Sequence, residues 1–258
     1  MKRNIIFFIV LLMLLTLAAC SQAKEPPQGK NHPYDAEAVL LAKIMDIKES
    51  SILLANMTED AGPADIYSIN GGGIEVMLED GRIGGRTALK KGMLVEVAFG
   101  GEVLESFPMQ FGNIEGIIIK SQGDDIAGLY RTVIDDLYKV DPGLNNNINI
   151  LAFDFTEISN LTESEKAALI HMIGGAYNME TVTGTYEELS EQGYIDKENL
   201  YFEKGLLFTI LDEPMSQDSF TFNAIKWRSG LGAFFYNNCI AKKSKMGWNY
   251  TIGSEAIS

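Results

Sequence analysis

Apolar side chains follow four successive patterns along the chain. From Ile5 to Leu17 they run almost unbroken for 13 positions, behind Lys2 and Arg3. A bilayer-spanning helix needs roughly 20 apolar residues. A shorter run behind basic residues predicts a cleaved export signal over residues 1–19. Residues 20–34 hold Pro26, Pro27, Gly29 and Pro33 and little that could be buried, which predicts an extended tether.

From 35 to 122, short apolar runs broken by Gly and Pro predict strands over 38–46, 52–57, 64–69, 93–99 and 114–120. The first two read as a hairpin, and 74–78 is either a strand or a short helix. After Gln122 the spacing becomes helical: Ile126, Leu129, Tyr130, Val133, Ile134 and Leu137 fall on one face. Asp124 and Asp125 favour the start of that helix, and Asp141-Pro142-Gly143 ends it. A strand is predicted over 148–155. Thr162 and Glu165 form a capping-box pattern that opens a helix to about Ile173, before Gly174-Gly175. Thr185 and Glu188 repeat the pattern for a short helix ending by Gly193. An antiparallel meander is predicted over 206–211, 219–227, 231–241 and 247–252. The predicted fold class is two domains: all-β over 35–122, then α+β over 123–258, helices first and strands last.

Charge and rare residues narrow the chemistry. The formal charge is −14, and loss of Lys2 and Arg3 with the signal takes it to −16. Such a surface repels nucleic acid, whose binding needs basic patches. Histidine occurs only as His32, in the tether, and His171, on an apolar helix, so no His-rich metal site is expected. The two cysteines are Cys20 and Cys239, too few for a thiolate cluster; Cys239, among apolar neighbours, reads as a small buried residue. Asp124/Asp125, Asp135/Asp136 and Glu187/Glu188 are adjacent pairs, which diverge on a helix rather than converge on a substrate. The glycines at 71–73 and at 81, 84 and 85 lack the Lys-Ser/Thr ending of a phosphate loop and read as turns. No catalytic, metal or cofactor residues are assigned, and no cofactor is expected. Trp227, Arg228, Tyr236 and Trp248 on the meander are the candidate patch for a protein or glycan partner, since Arg with aromatics is the composition of interface hot spots.

Two resemblances add to this. Leu17-Ala18-Ala19-Cys20 resembles the lipobox of bacterial lipoproteins. That likeness implies a lipidated Cys20 as the first mature residue, on the extracytoplasmic face of the cell membrane. Two acyl chains, at roughly 0.8 kcal/mol per buried methylene, suffice for stable anchoring. It would also leave Cys239 without a disulfide partner. The run Leu89-Lys90-Lys91-Gly92-Met93-Leu94-Val95-Glu96-Val97, with Glu105-Ser106-Phe107-Pro108 and a final β-run, resembles the domain of unknown function in YobA-like lipoproteins of Gram-positive bacteria. It implies a small oligonucleotide/oligosaccharide-binding-type (OB-like) barrel and no catalytic residue. Phe220 to Ala233 resembles the C-terminal part of uncharacterised lipoproteins of such bacteria. The expectation is a membrane-anchored lipoprotein with a non-enzymatic binding or scaffolding role and an envelope protein or glycan as partner. The alternatives are a wall-directed hydrolase using paired carboxylates and a regulatory or inhibitor lipoprotein.

Overall fold

The computed structural model describes residues 32–258. The signal peptide, Cys20 and the tether up to residue 31 lie outside the described residues. Ala36–Ser258 forms one compact unit. It is β-rich, with two mixed sheets and three α-helices among the described residues.

The first sheet contains β1 (Ala38–Ile47), β2 (Ser51–Asn56), β3 (Ile66–Asn70), β4 (Val76–Met77), β5 (Ile83–Gly84), β6 (Leu94–Phe99), β7 (Val103–Leu104), β8 (Met109–Phe111) and β9 (Ile114–Ser121). Their order is β5-β4-β9-β6-β1-β2-β3-β8-β7, an open path with ends at β5 and β7. β1 and β2 form the predicted hairpin, and the ambiguous 74–78 segment is a two-residue strand. Ile44, Ile52, Leu54, Ile69, Val95, Val97 and Ile117 fill one core on this sheet. Strand alternation points Met45 to the opposite face from Ile44, and a bulge between Ile44 and Asp46 makes it the extra, unpaired residue. There Met45, Leu53, Ala55 and Ile66 join the core of the following segment. Gly92 of the Lys-Lys-Gly run has φ +81° and packs against the backbone of Asp124 and Asp125, leaving no space for a Cβ.

Next come α1 (Ile126–Lys139), β10 (Ile150–Asp154), α2 (Glu163–Tyr177), β11 (Glu180–Thr183), α3 (Tyr186–Glu191), β12 (Gly205–Asp212), β13 (Ser219–Ser229), β14 (Gly232–Ser244), β15 (Gly247–Thr251) and β16 (Ser254–Ile257). The second sheet is ordered β11-β10-β12-β13-β14-β15, with β16 also on β14. The predicted meander is present, but β10 lies parallel to both β11 and β12. The sheet is therefore mixed, and β11 is a strand the periodicity did not announce. Asp125 caps α1 by accepting from the Gly128 amide, and both predicted capping boxes form.

α2 runs on to Tyr177, past the predicted end at Ile173. It lies between the sheets, against β1, β2 and β3 on one side and α1 and β11 on the other. That placement explains why apolar residues occur around much of its circumference rather than along one stripe. It continues through Gly174 because the bare Cα lets it lie against Thr181, where a Cβ would stand 2.7 Å from the threonine methyl. α3 covers the other face of the second sheet, with Leu189, Ile195 and Phe202 packed on Ala152 and Leu207. The segments expected to fold as separate domains thus share a core and one buried helix. Lys43 of β1 donates to Glu165 of α2 at 2.6 Å, and Ser164 donates to the Gly62 carbonyl at 3.1 Å.

Candidate binding cleft

A cleft of about 1290 Å³ lies between the first sheet's loops and the outer strand of the second. One wall is a face of α2. Glu163, Lys166, Ala167, Ile170, His171 and Gly174 recur at spacings of three and four and so point the same way. Opposite lie β11 and Glu188 of α3. Phe153 and Phe155, where β10 ends, contribute apolar surface, and Pro63, Ala64 and Phe107 close the first-sheet side.

Phe107 is 64% exposed, which is unusual for so large an apolar side chain. Its ring meets His171 edge-on at 5.7 Å. Burial, reinforced by the Lys48 charge, holds the His171 pKa below its ordinary value, so the ring stays neutral near pH 7. No hydroxyl or carboxylate is hydrogen-bonded to it among the described residues, so it lacks the partner of an activated nucleophile or oriented base. The nearly buried Lys166 ammonium pairs with Glu163 at 2.7 Å. Glu180 and Glu188 add further negative charge to the lining, which is net acidic with apolar walls. No group of three His, Cys, Asp or Glu residues could hold a metal ion among the described residues.

The sequence-derived patch falls outside this cleft. Strand alternation places Trp227 on one face of β13 and Arg228 on the other, as expected. Trp227 packs edge-on against Tyr186 at 5.2 Å, beside α3. Arg228 is 9% exposed and donates to the carbonyls of Leu144, Asn146 and Glu203 and to the Tyr201 hydroxyl. Tyr236 is 4% exposed within the main core, and Trp248 leans on Phe220 at 5.3 Å. The four do not share a surface: Arg228 fastens loops, Tyr236 is core, and only the two tryptophans are partly accessible. Cys20 lies outside the described residues.

The paired carboxylates are likewise structural. Asp135 accepts from Tyr177 at 2.9 Å and Asp136 from Tyr250 at 2.8 Å. Both aspartates also remain partly exposed at the helix surface, and as adjacent helical residues they take separate partners. Burial raises the Asp125 pKa, against the opposing Gly128 hydrogen bond, but this carboxyl caps α1. Glu188 closes the α3 capping box. Cys239 is fully buried and its thiol is pushed up to about 11 by desolvation, so it is unreactive at neutral pH.

Sequence reasoning touched the cleft at His171, on its apolar helix, at Glu188 of a carboxylate pair and capping box, at Gly174-Gly175 and at the Ser106-Phe107-Pro108 run, without bringing them together. A usable signal was present in α2, whose apolar circumference marks a helix buried on two sides. Searches against protein-family models, curated proteins and solved structures found no match to the chain.

Proposed function

We propose that the protein is a surface-exposed lipoprotein, anchored to the extracytoplasmic face of the membrane through Cys20, which binds or scaffolds an envelope partner without catalysing a reaction. The single observation that carries this reading is the cleft: large, apolar-walled and acidic, yet with no nucleophile, base and orienting group placed together. The lipid anchor rests on Leu17-Ala18-Ala19-Cys20 and the preceding apolar run. For residues 35–122 we favour an OB-like barrel, and for 123–258 an α+β module joined to it through the shared core. The barrel is supported by the separation of β8 and β9 by only Gly112 and Asn113. If both are taken as one bent strand, the path β1-β2-β3-(β8/β9)-β6 returns to β1, with β3 parallel to β8 and β6 antiparallel to both β1 and β9.

A photoreactive amino acid at Phe107 in the native cell tests the binding role. The expected result is one dominant crosslinked envelope component, lost when Ile170→Asp disrupts the apolar wall. Hydrolysis of wall glycan by the purified protein, abolished by Glu163→Gln or Glu188→Gln, would instead establish the hydrolase. Cys20→Ala should abolish acyl labelling and release the chain from the membrane; persistent labelling would refute the anchor.

A further inference from the structure

Five consecutive residues of the cleft lining, Glu180 to Gly184, span β11 and its exit. Adjacent strand residues point to opposite faces, so a concavity that touches all of them lies along the strand's edge. β11 is the terminal strand of its sheet, and among the described residues it pairs with β10 alone. The amides of Glu180 and Gly184 donate to the Asn149 and Phe153 carbonyls at 3.1 Å each. Backbone alternation puts Val182 on that same inner edge. The N–H and C=O groups of Thr181 and Thr183 therefore point away from the sheet.

We infer that this edge accepts an extended, basic peptide segment as an added strand. Main-chain pairing along an exposed edge gives affinity in such complexes, while pockets for alternate side chains give selectivity. Here both are present. Ile170, Met179 and Phe107 offer apolar contact to alternate side chains. Glu163, Glu180 and Glu188, against Lys166 alone, favour Lys or Arg at the positions between. The size also fits: small-molecule sites span roughly 300–1,000 Å³, and this cleft, at about 1290 Å³, is larger. An acidic peptide, or a second copy of this acidic chain, would meet like charge.

The inference rests on the binding reading above and names the class of partner. The test uses the full-length protein and synthetic ten-residue peptides that alternate Lys with Val, Ile or Phe. At least one such peptide should bind, and the version with Glu in place of Lys should bind at least tenfold more weakly. Methylating one alternate set of the peptide's backbone nitrogens should cost at least tenfold, and methylating the other set little. Peptide binding should slow hydrogen exchange at the Thr181 and Thr183 amides. Thr183→Pro deletes one outward N–H and should abolish binding, whereas Thr183→Val should bind as the parent does. The exchange measurement on the unaltered protein decides the matter should Thr183→Pro fail to fold. Equal binding by both methylated peptides, or unprotected Thr181 and Thr183 amides, would overturn the added strand. If no alternating peptide binds while Phe107 still crosslinks one envelope component, the strand inference fails and the binding reading stands. If Phe107 also captures nothing, both fail.

Discussion

Lys226 and Arg228 stand two residues apart on β13 and show how a charged pair in sequence becomes a structural device. Both point to the sheet face covered by α1. Lys226 is fully buried, and its ammonium donates to the carbonyls of Tyr138, Val140 and Asp141 at 3.2, 2.7 and 3.2 Å. These groups end α1, where unpaired carbonyls and the helix dipole favour a cation. Alternation in the sequence was enough to place Trp227 and Arg228 on opposite faces. It could not show which face was buried, because two of the carbonyls that Arg228 finds, those of Leu144 and Asn146, lie more than 80 residues back in the chain. Burial pushes the Lys226 pKa down to about 8, with Asp141 opposing the shift. In the unfolded chain the same group titrates at about 10.4. Between these values the unfolded state binds more protons, so this contribution to stability is present above the upper value and lost as pH falls through the lower one. Urea unfolding of the parent and of Lys226→Met checks this. The parent should gain stability relative to the variant between about pH 8 and 10.4; parallel pH curves would contradict the assignment.

The helix starts were legible in short motifs because a capping box is complete within four residues. Thr162 with Glu165, and Thr185 with Glu188, satisfy each other's free amides as their order implies. The end of α2 was not legible. Two glycines ordinarily terminate a helix, and only the contact with β11 shows why one of them continues it. Gly174 lies against Thr181, whereas a Cβ on Gly175 would meet nothing within 4 Å. Adjacent glycines of one helix should therefore respond with opposite sign. Gly175→Ala should stabilise by roughly 0.5–1 kcal/mol through helix propensity. Gly174→Ala should destabilise by roughly 1–3 kcal/mol through overpacking. Thr181→Ser, which removes the opposing methyl, should recover most of that loss. Chemical denaturation of the four proteins settles it, and a stabilising Gly174→Ala would show that α2 does not pack as described. β11 escaped notice for a related reason: Glu180-Thr181-Val182-Thr183 is short and mostly polar, as suits a strand beside an open cleft.

At the scale of the whole molecule, the change of pattern near Gln122 marks a real change of architecture, from short strands to helices and a long meander. It does not mark the end of a core. The run Ile52-Leu53-Leu54-Ala55 held the clue, since unbroken apolar residues in a strand signal burial on both faces. Ile52 and Leu54 enter the first sheet's core, whereas Leu53 and Ala55 enter the core built by α1, α2 and the second sheet. Domains with separate cores could unfold separately, whereas a shared core couples them. The placement of tryptophan makes this measurable. Both tryptophans, Trp227 and Trp248, belong to the second sheet, far along the chain from Leu53. Leu53→Ala removes buried methyl groups from a side chain that is 8% exposed, and such truncations cost roughly 2–5 kcal/mol. With one cooperative unit, that loss should lower the denaturation midpoint reported by tryptophan fluorescence as much as the midpoint reported by far-ultraviolet circular dichroism. If Leu53→Ala left the tryptophan transition in place and moved only an earlier dichroism transition, residues 35–122 would unfold independently. The cleft would then lie between two separable bodies. Coincident shifts would instead make its walls parts of one rigid frame, already set in place to receive a strand along β11.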